Sequence, residues 1–300
     1  MSKLVILGGS GFVGRSLLNK LGKEEYDSKV IIYKNDIKTN FKKFRGDILV
    51  PEVLDNQIEN GDTIVNLIGQ FYESDSNFID LNILGALNIL NSCIKKKKIR
   101  IILISSINVY GENLGKPSKE TDPSQPITNY GIVKLITERI YQHYSKLYHM
   151  DVTVLRLSNL YGPQKKSGPV ANLINSLNNG KNIFAYNKGR QLRDFLFIED
   201  ATEGIIQAIK IPQKGYNVFN LSTGKRHMVK DVIKIIEKMT GKKLRVRLDP
   251  RIPDERCIWA DNSKAKKILK FSPKTILQQG IEITVNNYID TYNKKVRHYD

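Results

Sequence analysis

Tyr130 and Lys134 stand four positions apart in Tyr130-Gly131-Ile132-Val133-Lys134, a spacing that puts both side chains on one face of a helix. An ammonium beside a phenol favours the phenolate, whose free pKa is about 10. Such a pair can take up or give a proton near neutral pH. Upstream, the apolar run Ile101–Ile104 leads into Ser105-Ser106-Ile107-Asn108-Val109-Tyr110-Gly111. That places a hydroxyl at the carboxyl end of a strand, where open α/β sheets carry their chemistry. Near the N-terminus, Gly8-Gly9-Ser10-Gly11-Phe12-Val13-Gly14 follows the apolar run Leu4–Leu7. Glycines at this spacing allow a tight turn and let backbone approach a pyrophosphate at a helix N-terminus. Each feature alone is commonplace; a glycine turn after a buried strand that opens a helix points to a dinucleotide.

The elements that must position these residues alternate. Strands are expected at Leu4–Leu7, Val30–Tyr33, Thr63–Ile68, Ile101–Ser105 and Val152–Leu157, with helices after Gly11, around Phe78–Ile94 and around Asn129–His149. Continuous apolar strands separated by helices predict a parallel sheet covered on both faces, and right-handed connections make it a doubly wound α/β (Rossmann) sheet. After Asn159-Leu160-Tyr161-Gly162-Pro163 the pattern shortens, with strands expected at Phe195–Ile198, Val218–Leu221 and Leu244–Leu248 and amphipathic helices at Val229–Met239 and Thr275–Tyr288. The division expected is a dinucleotide-binding domain over 1–163, to which strands near 195–222 return, and a smaller C-terminal α/β substrate-binding region over 164–300.

Composition narrows the class. The 300 residues are 40% hydrophobic and 26% charged, enough for a core. No run approaches the ~20 apolar residues of a membrane span, the N-terminus does not read as a signal peptide, and Cys93 and Cys257 show no metal-ligand spacing. A cytoplasmic protein without metal or membrane is expected. The net charge of +18 suits a phosphate-rich small substrate. It also suits nucleic acid, but no binding motif accompanies the scattered lysines, and nucleic acid is not expected.

The glycine loop, the Ser-Ser-x-x-Val-Tyr-Gly element at 105–111 and the Tyr-x-x-x-Lys pair together resemble the extended short-chain dehydrogenase/reductase family, in its NAD(P)-dependent nucleotide-sugar epimerase/dehydratase group. The likeness runs along nearly the whole chain. It implies that Ser106, Tyr130 and Lys134 are catalytic, with Ser106 bonding the reacting oxygen. It implies cofactor contacts from Gly8, Gly11, Phe12, Val13 and Gly14. Asp47 and Ile48 resemble the adenine-side Gly-Asp-Leu element, Leu67-Ile68-Gly69 the run under the ribose, and Asn82-Ile83-Leu84-Gly85 a helix start; Ser105, Tyr130 and Lys134 complete the cofactor set. Where NAD-preferring relatives carry an acid at the end of the second strand, this chain has Tyr33-Lys34-Asn35-Asp36. Either Lys34 or Asp36 takes that place, and NAD and NADP both stay open.

On the substrate side, Leu155-Arg156-Leu157-Ser158-Asn159-Leu160-Tyr161-Gly162-Pro163 resembles Leu-Arg-x-x-Asn-x-Tyr-Gly-Pro, which implies that Asn159 contacts a nucleotide diphosphate. Arg193 (in Gly189…Arg193-Asp194-Phe195) and Arg251 (in Arg251-Ile252-Pro253-Asp254) match its diphosphate-gripping arginines, and guanidinium forks suit phosphate. Ser106 and Asn108 would face the sugar. Asp194, Asp200, Asp254 and His227 read as structural. Family dehydratases and decarboxylases carry acids just after the Ser/Thr, and the 3,5-epimerase/4-reductases a Cys; here stand Ile107 and Asn108. The resemblance thus implies a 4-epimerase acting on a UDP- or dTDP-hexose, with an NADPH-dependent 4-keto-6-deoxysugar reductase as alternative. A non-catalytic dinucleotide- or RNA-binding protein on this fold is a third reading, against which the intact Ser106, Tyr130 and Lys134 weigh. A homodimer through the Phe78–Ile94 and Tyr130–Tyr148 helices is expected, since both carry apolar residues beyond one stripe and the family commonly pairs them.

Overall fold

Each residue of Leu4–Leu7 (β1) is buried, and the four alternate between two cores. Leu4 and Ile6 face one cluster, Val5 and Leu7 the other, because successive strand side chains point to opposite faces. A strand apolar at every position therefore needs helices on both sides. The computed structural model describes residues 3–21, 26–69, 76–113, 115–179, 183–186, 189–244, 246–249 and 257–296.

Around β1 lie Ser28–Ile32 (β2), Lys42–Arg45 (β3), Thr63–Asn66 (β4), Arg100–Ser106 (β5), Asp151–Leu157 (β6) and, from much later in the chain, Tyr216–Leu221 (β11). They form one seven-stranded sheet in the order β11-β6-β5-β4-β1-β2-β3, with every pairing parallel. This is the doubly wound arrangement, and strand order reverses between β1 and β4. The carboxyl ends of those two strands and of β5 are where such a sheet binds ligand.

One face is covered by Phe12–Leu21 (α1) and Ile198–Lys210 (α6), the other by Pro51–Gln57 (α2), Gly85–Ile94 (α3) and Asn129–Tyr148 (α4). α2 is a helix beyond those expected from sequence, and two further features of this half depart from the expectation. β3 is an additional strand whose Lys-Lys-Phe-Arg sequence lacks strand character; it lies at the sheet edge, where charge guards against unwanted pairing. The segment leading into α3 is wound as a π-helical stretch, Asp80–Leu84, before the regular helix begins.

Beyond β6 the chain forms Asn159–Tyr161 (β7), Pro169–Asn179 (α5), Ile183–Tyr186 (β8), Leu192–Arg193 (β9) and Phe195–Phe197 (β10), which runs straight into α6. After β11 come His227–Met228 (β12), Val229–Thr240 (α7), Val246–Asp249 (β13), Cys257–Ile258 (β14), Ser263–Ile268 (α8) and Leu277–Val296 (α9). β7 pairs with β10, β9 lies between β12 and β14, and β13 pairs with β8. Tyr161, Leu173, Phe195, Phe197, Val232, Ile236 and Ile281 build a third core, on which Phe12 and Val13 of the glycine loop also pack. The loop that opens the nucleotide fold is thus braced by the later half.

Two of the aspartates expected to be structural are so placed. Asp200 accepts from the backbone N–H of Lys274 (2.9 Å) and Thr275 (3.0 Å) ahead of α9. Buried Asp194 accepts from the Thr223 N–H and hydroxyl, the Gly224 N–H and the Ser158 hydroxyl. Cys93 and Cys257 are buried free thiols. Among the described residues, no helix is long and apolar enough to cross a membrane, and no His, Cys, Asp and Glu cluster could hold a metal.

Candidate active site

A cleft of about 310 Å³ lies at the carboxyl ends of the central strands. Its lining joins Gly8, Gly11, Phe12, Val13 and Gly14 to Leu67, Gly69, Ser105, Ser106, Asn108, Tyr130, Lys134 and Asn159. These residues come from the βα turn after β1, the segment after β4, the end of β5 with the 3-10 turn that follows it, the first turns of α4 and the start of β7 just beyond β6. The order of the central sheet brings these segments together.

The glycine loop is shaped for close approach. Gly8 has φ +85°, and its carbonyl accepts from the Gly11 N–H at 3.0 Å. A Cβ on Gly14 would stand 2.4 Å from the Gly8 oxygen and 2.5 Å from the Gly9 oxygen, so only glycine lets α1 start this near the strand. The first N–H groups of α1 then face the cleft as a site for anionic oxygen. This cradle fits a dinucleotide pyrophosphate.

Ser106 ends β5 and caps the short 3-10 turn Ile107–Tyr110, its Oγ accepting from the Asn108 N–H at 3.2 Å. The Tyr130 hydroxyl hydrogen-bonds with Ser106. Thr128 caps α4 by accepting from the Gly131 N–H at 3.1 Å, which fixes the helix turn that presents Tyr130. One turn on, the Lys134 ammonium lies 5.9 Å from the centre of the Tyr130 ring and donates to the Ile104 carbonyl at 3.3 Å. It fits there because Gly69 has no side chain; a Cβ would come within 2.4 Å of Nζ. Burial raises the Tyr130 phenol to about 12, opposed by its Ser106 hydrogen bond. Burial lowers Lys134 to about 8, opposed by the negative charge of Glu138. The resulting constellation is a phenol held to a hydroxyl, with a buried ammonium alongside it.

Several predicted contacts lie outside this cleft. Lys34 and Asp36 are exposed at the end of β2; Asp36 accepts from Lys43 of β3 at 2.8 Å, which holds its carboxyl below the usual range. Asp47 closes a turn by accepting from the Leu49 N–H, and Ile48 is buried with its carbonyl bound to Asn88 of α3. Ile68 packs on the α2–α4 core, and its N–H donates to the Asn66 side chain. Asn82 is buried and donates to the Phe78 carbonyl. Asn159 does reach the cleft, its amide donating to the Asp194 carbonyl at 3.1 Å. Arg193 sits on β9, and Arg251 and Asp254 lie outside the described residues.

Glu138 was not picked out from sequence, and Lys165 only as part of the loop 165–169 expected to line the pocket. Lys165 lines the cleft with its ammonium 4.7 Å from the centre of the Phe12 ring, and burial lowers its pKa. The only signal was its place in the loop after Tyr-Gly-Pro. Glu138 repeats the four-residue step from Tyr130 through Lys134, a signal that spacing did carry.

Known proteins resemble the chain over most of its length. The model of the NAD dependent epimerase/dehydratase family matches residues 4–222. A UDP-glucuronate 4-epimerase of Thermodesulfobacterium geofontis is 28% identical, over 95% of this chain and 96% of its own. Among solved structures, the Bacillus cereus UDP-glucuronic acid 4-epimerase, in complex with UDP-glucuronic acid and NAD, superposes with a TM-score of 0.86 at 26% identity, covering 97% of this chain and 100% of its own. The Thermotoga maritima UDP-glucose 4-epimerase with UDP-glucose gives 0.85 at 27%, over 97% and 99%.

Proposed function

The chain belongs to the NAD dependent epimerase/dehydratase family, and we propose that it inverts C4 of a nucleotide-diphosphate sugar while holding a nicotinamide dinucleotide, NAD or NADP. One observation carries the choice of reaction. Among the described residues lining the cleft there are one tyrosine, four serines and two lysines, but no carboxylate. Eliminating a sugar hydroxyl requires an acid for the leaving oxygen as well as a base for a carbon-bound proton. Removing and restoring hydrogen at one carbinol needs only one group to shuttle the hydroxyl proton. Tyr130 is that group, and Ser106 holds the reacting oxygen beside it.

When bound, the nicotinamide supplies the hydride acceptor and, in its oxidised form, a positive charge. The chain's own part is electrostatic and positional. A phenol at about 12 is a poor base at neutral pH, and the Lys134 ammonium draws it down. The glycine loop and α1 N-terminus take the cofactor pyrophosphate. Asn108 and Asn159 orient the sugar nucleotide, and Arg193 with Arg251 takes its diphosphate. The relatives named above support the reading: the Bacillus protein binds a UDP-sugar together with NAD, and the Thermotoga protein binds a UDP-sugar.

A one-way 4-keto-sugar reductase uses the same groups. Its support is the basic end of β2, where Lys34 is exposed and Asp36 is engaged by Lys43; a 2′-phosphate suits that site better than a bare ribose does. Mass spectrometry of the purified protein for retained cofactor, followed by incubation with a panel of UDP- and dTDP-sugars, separates the two. A retained cofactor and a mixture of C4 epimers supports the epimerase. Stoichiometric NADPH consumption without epimer formation overturns it.

A further inference from the structure

Glu138 is buried on α4, one turn beyond Lys134 and two beyond Tyr130, and it touches neither the cleft nor solvent. Its carboxylate is fully engaged. Oε1 accepts from the Ser105 hydroxyl at 2.5 Å and from Arg156 Nε at 3.0 Å, and Oε2 accepts from Arg156 Nη2 at 2.6 Å. The Arg156 guanidinium stacks 4.6 Å over the Tyr110 ring, and the Tyr110 hydroxyl donates to buried Asn220 of β11. Ser105 and Arg156 are themselves register partners on β5 and β6. One carboxylate thus ties the catalytic helix to two strands and, through Arg156 and Tyr110, to a third.

An ion pair this deep is poor evidence of a stability device, because desolvating both charges consumes most of what their attraction returns. Its position suggests another use. The charged and titratable groups around it are Lys134 and Tyr130 on its own helix, with Arg139 adjacent, Arg156 on β6, Tyr110 after β5 and Tyr216 on β11, whose hydroxyl donates to the Glu138 carbonyl at 3.3 Å. Among the described groups that act on Lys134, Glu138 supplies the opposing charge; burial does the reverse.

We propose that Glu138 is a positioning residue for the reaction, its clamped carboxylate holding Lys134 as an ammonium and α4 in register with the end of β5. It acts through Lys134 and never meets substrate. This rests on the function proposed above only in giving Lys134 an ammonium's work.

The sign follows from charge. Lys134 works while protonated, so turnover falls as pH rises through its titration. Without Glu138 the ammonium loses the negative charge one turn along α4 while the buried Arg156 stays positive, and the alkaline limb moves down. For Glu138→Gln, the alkaline limb of the kcat profile should shift measurably to lower pH, the direction that follows from removing a nearby opposite charge. Because an unpaired guanidinium can prevent folding, the double variant Glu138→Gln/Arg156→Met is the second arm, and its limb should also lie below the wild-type position. Lysine labelled with ¹³C at Cε gives a readout free of turnover. The Lys134 signal, identified by its loss in Lys134→Met, should titrate at lower pH in both variants. A wild-type titration midpoint in a folded variant overturns the proposal, whatever substrate the enzyme proves to use.

Discussion

A single oxygen separates the working side chain from an inert one at Tyr130. Phenylalanine keeps the ring that packs at the start of α4 but removes the hydroxyl bonded to Ser106. Tyr130→Phe should therefore lower kcat by 10²-fold or more, the range of a general acid–base group, while the thermal midpoint changes little. Turnover within about tenfold of wild type, measured by conversion of the nucleotide sugar, would remove Tyr130 from the mechanism. Asp194 makes a different point at the same scale. Burial raises its carboxyl to about 6 against four hydrogen bonds that pull it down. A raised folded pKa means that the native state holds this proton more tightly than the unfolded chain, where it titrates near 3.9. The resulting stabilisation is complete below about pH 3.9 and is lost as pH rises through about 6. Urea unfolding of wild type and Asp194→Asn should show the wild type losing on the order of 2 kcal/mol relative to the variant across that window. Parallel curves for the two proteins would count against a raised carboxyl.

At the scale of elements, legibility followed burial. β1, β5 and β6 were readable because each carries a run of apolar and β-branched residues, as strands buried on both faces do. Their order around the glycine turn then placed the cleft. β3 was not readable, since Lys42-Lys43-Phe44-Arg45 is what an exposed edge tolerates and not what a core selects. The π-helical stretch at Asp80–Leu84 was equally silent: its apolar spacing is that of an ordinary helix. Tyr130, Lys134 and Ser106 announced themselves by spacing and order. Lys165 did not, because a lysine in a Gly/Pro-rich loop reaches a cleft only through the path of the loop, which no local pattern encodes. The Glu138–Arg156 pair belongs between these cases, with a periodic position on the helix and a partner that only the parallel pairing of β5 and β6 brings near.

For the whole molecule, an exposed apolar surface remains on α3, α4 and the turns before them. Ile79, Leu84, Ile132, Ile136 and Tyr148 are all exposed there, on helices that pack side by side. A second copy of the chain is the expected cover, giving a homodimer across a two-fold axis. Light scattering at micromolar concentration should give twice the 34.2 kDa chain mass, and Ile136→Glu should yield monomers that keep their fold. A wild-type monomer would leave that surface unexplained.

The long return of β11 to the first sheet has a consequence for where this chain can be divided. β11 pairs over its whole length with β6, from Tyr216↔Val152 to Leu221↔Leu157, and its Asn220 receives the Tyr110 hydroxyl. A polypeptide ending near residue 163 would hold every residue of the glycine loop and the Ser106–Tyr130–Lys134 set. Yet it would leave the apolar β6 as a raw edge, open to pairing with any other chain, and would strip the third core from Phe12 and Val13. The apparent boundary at Tyr-Gly-Pro is thus one at which the enzyme cannot be cut: expressed alone, the first fragment should aggregate, and co-expression with the remainder should restore a soluble complex.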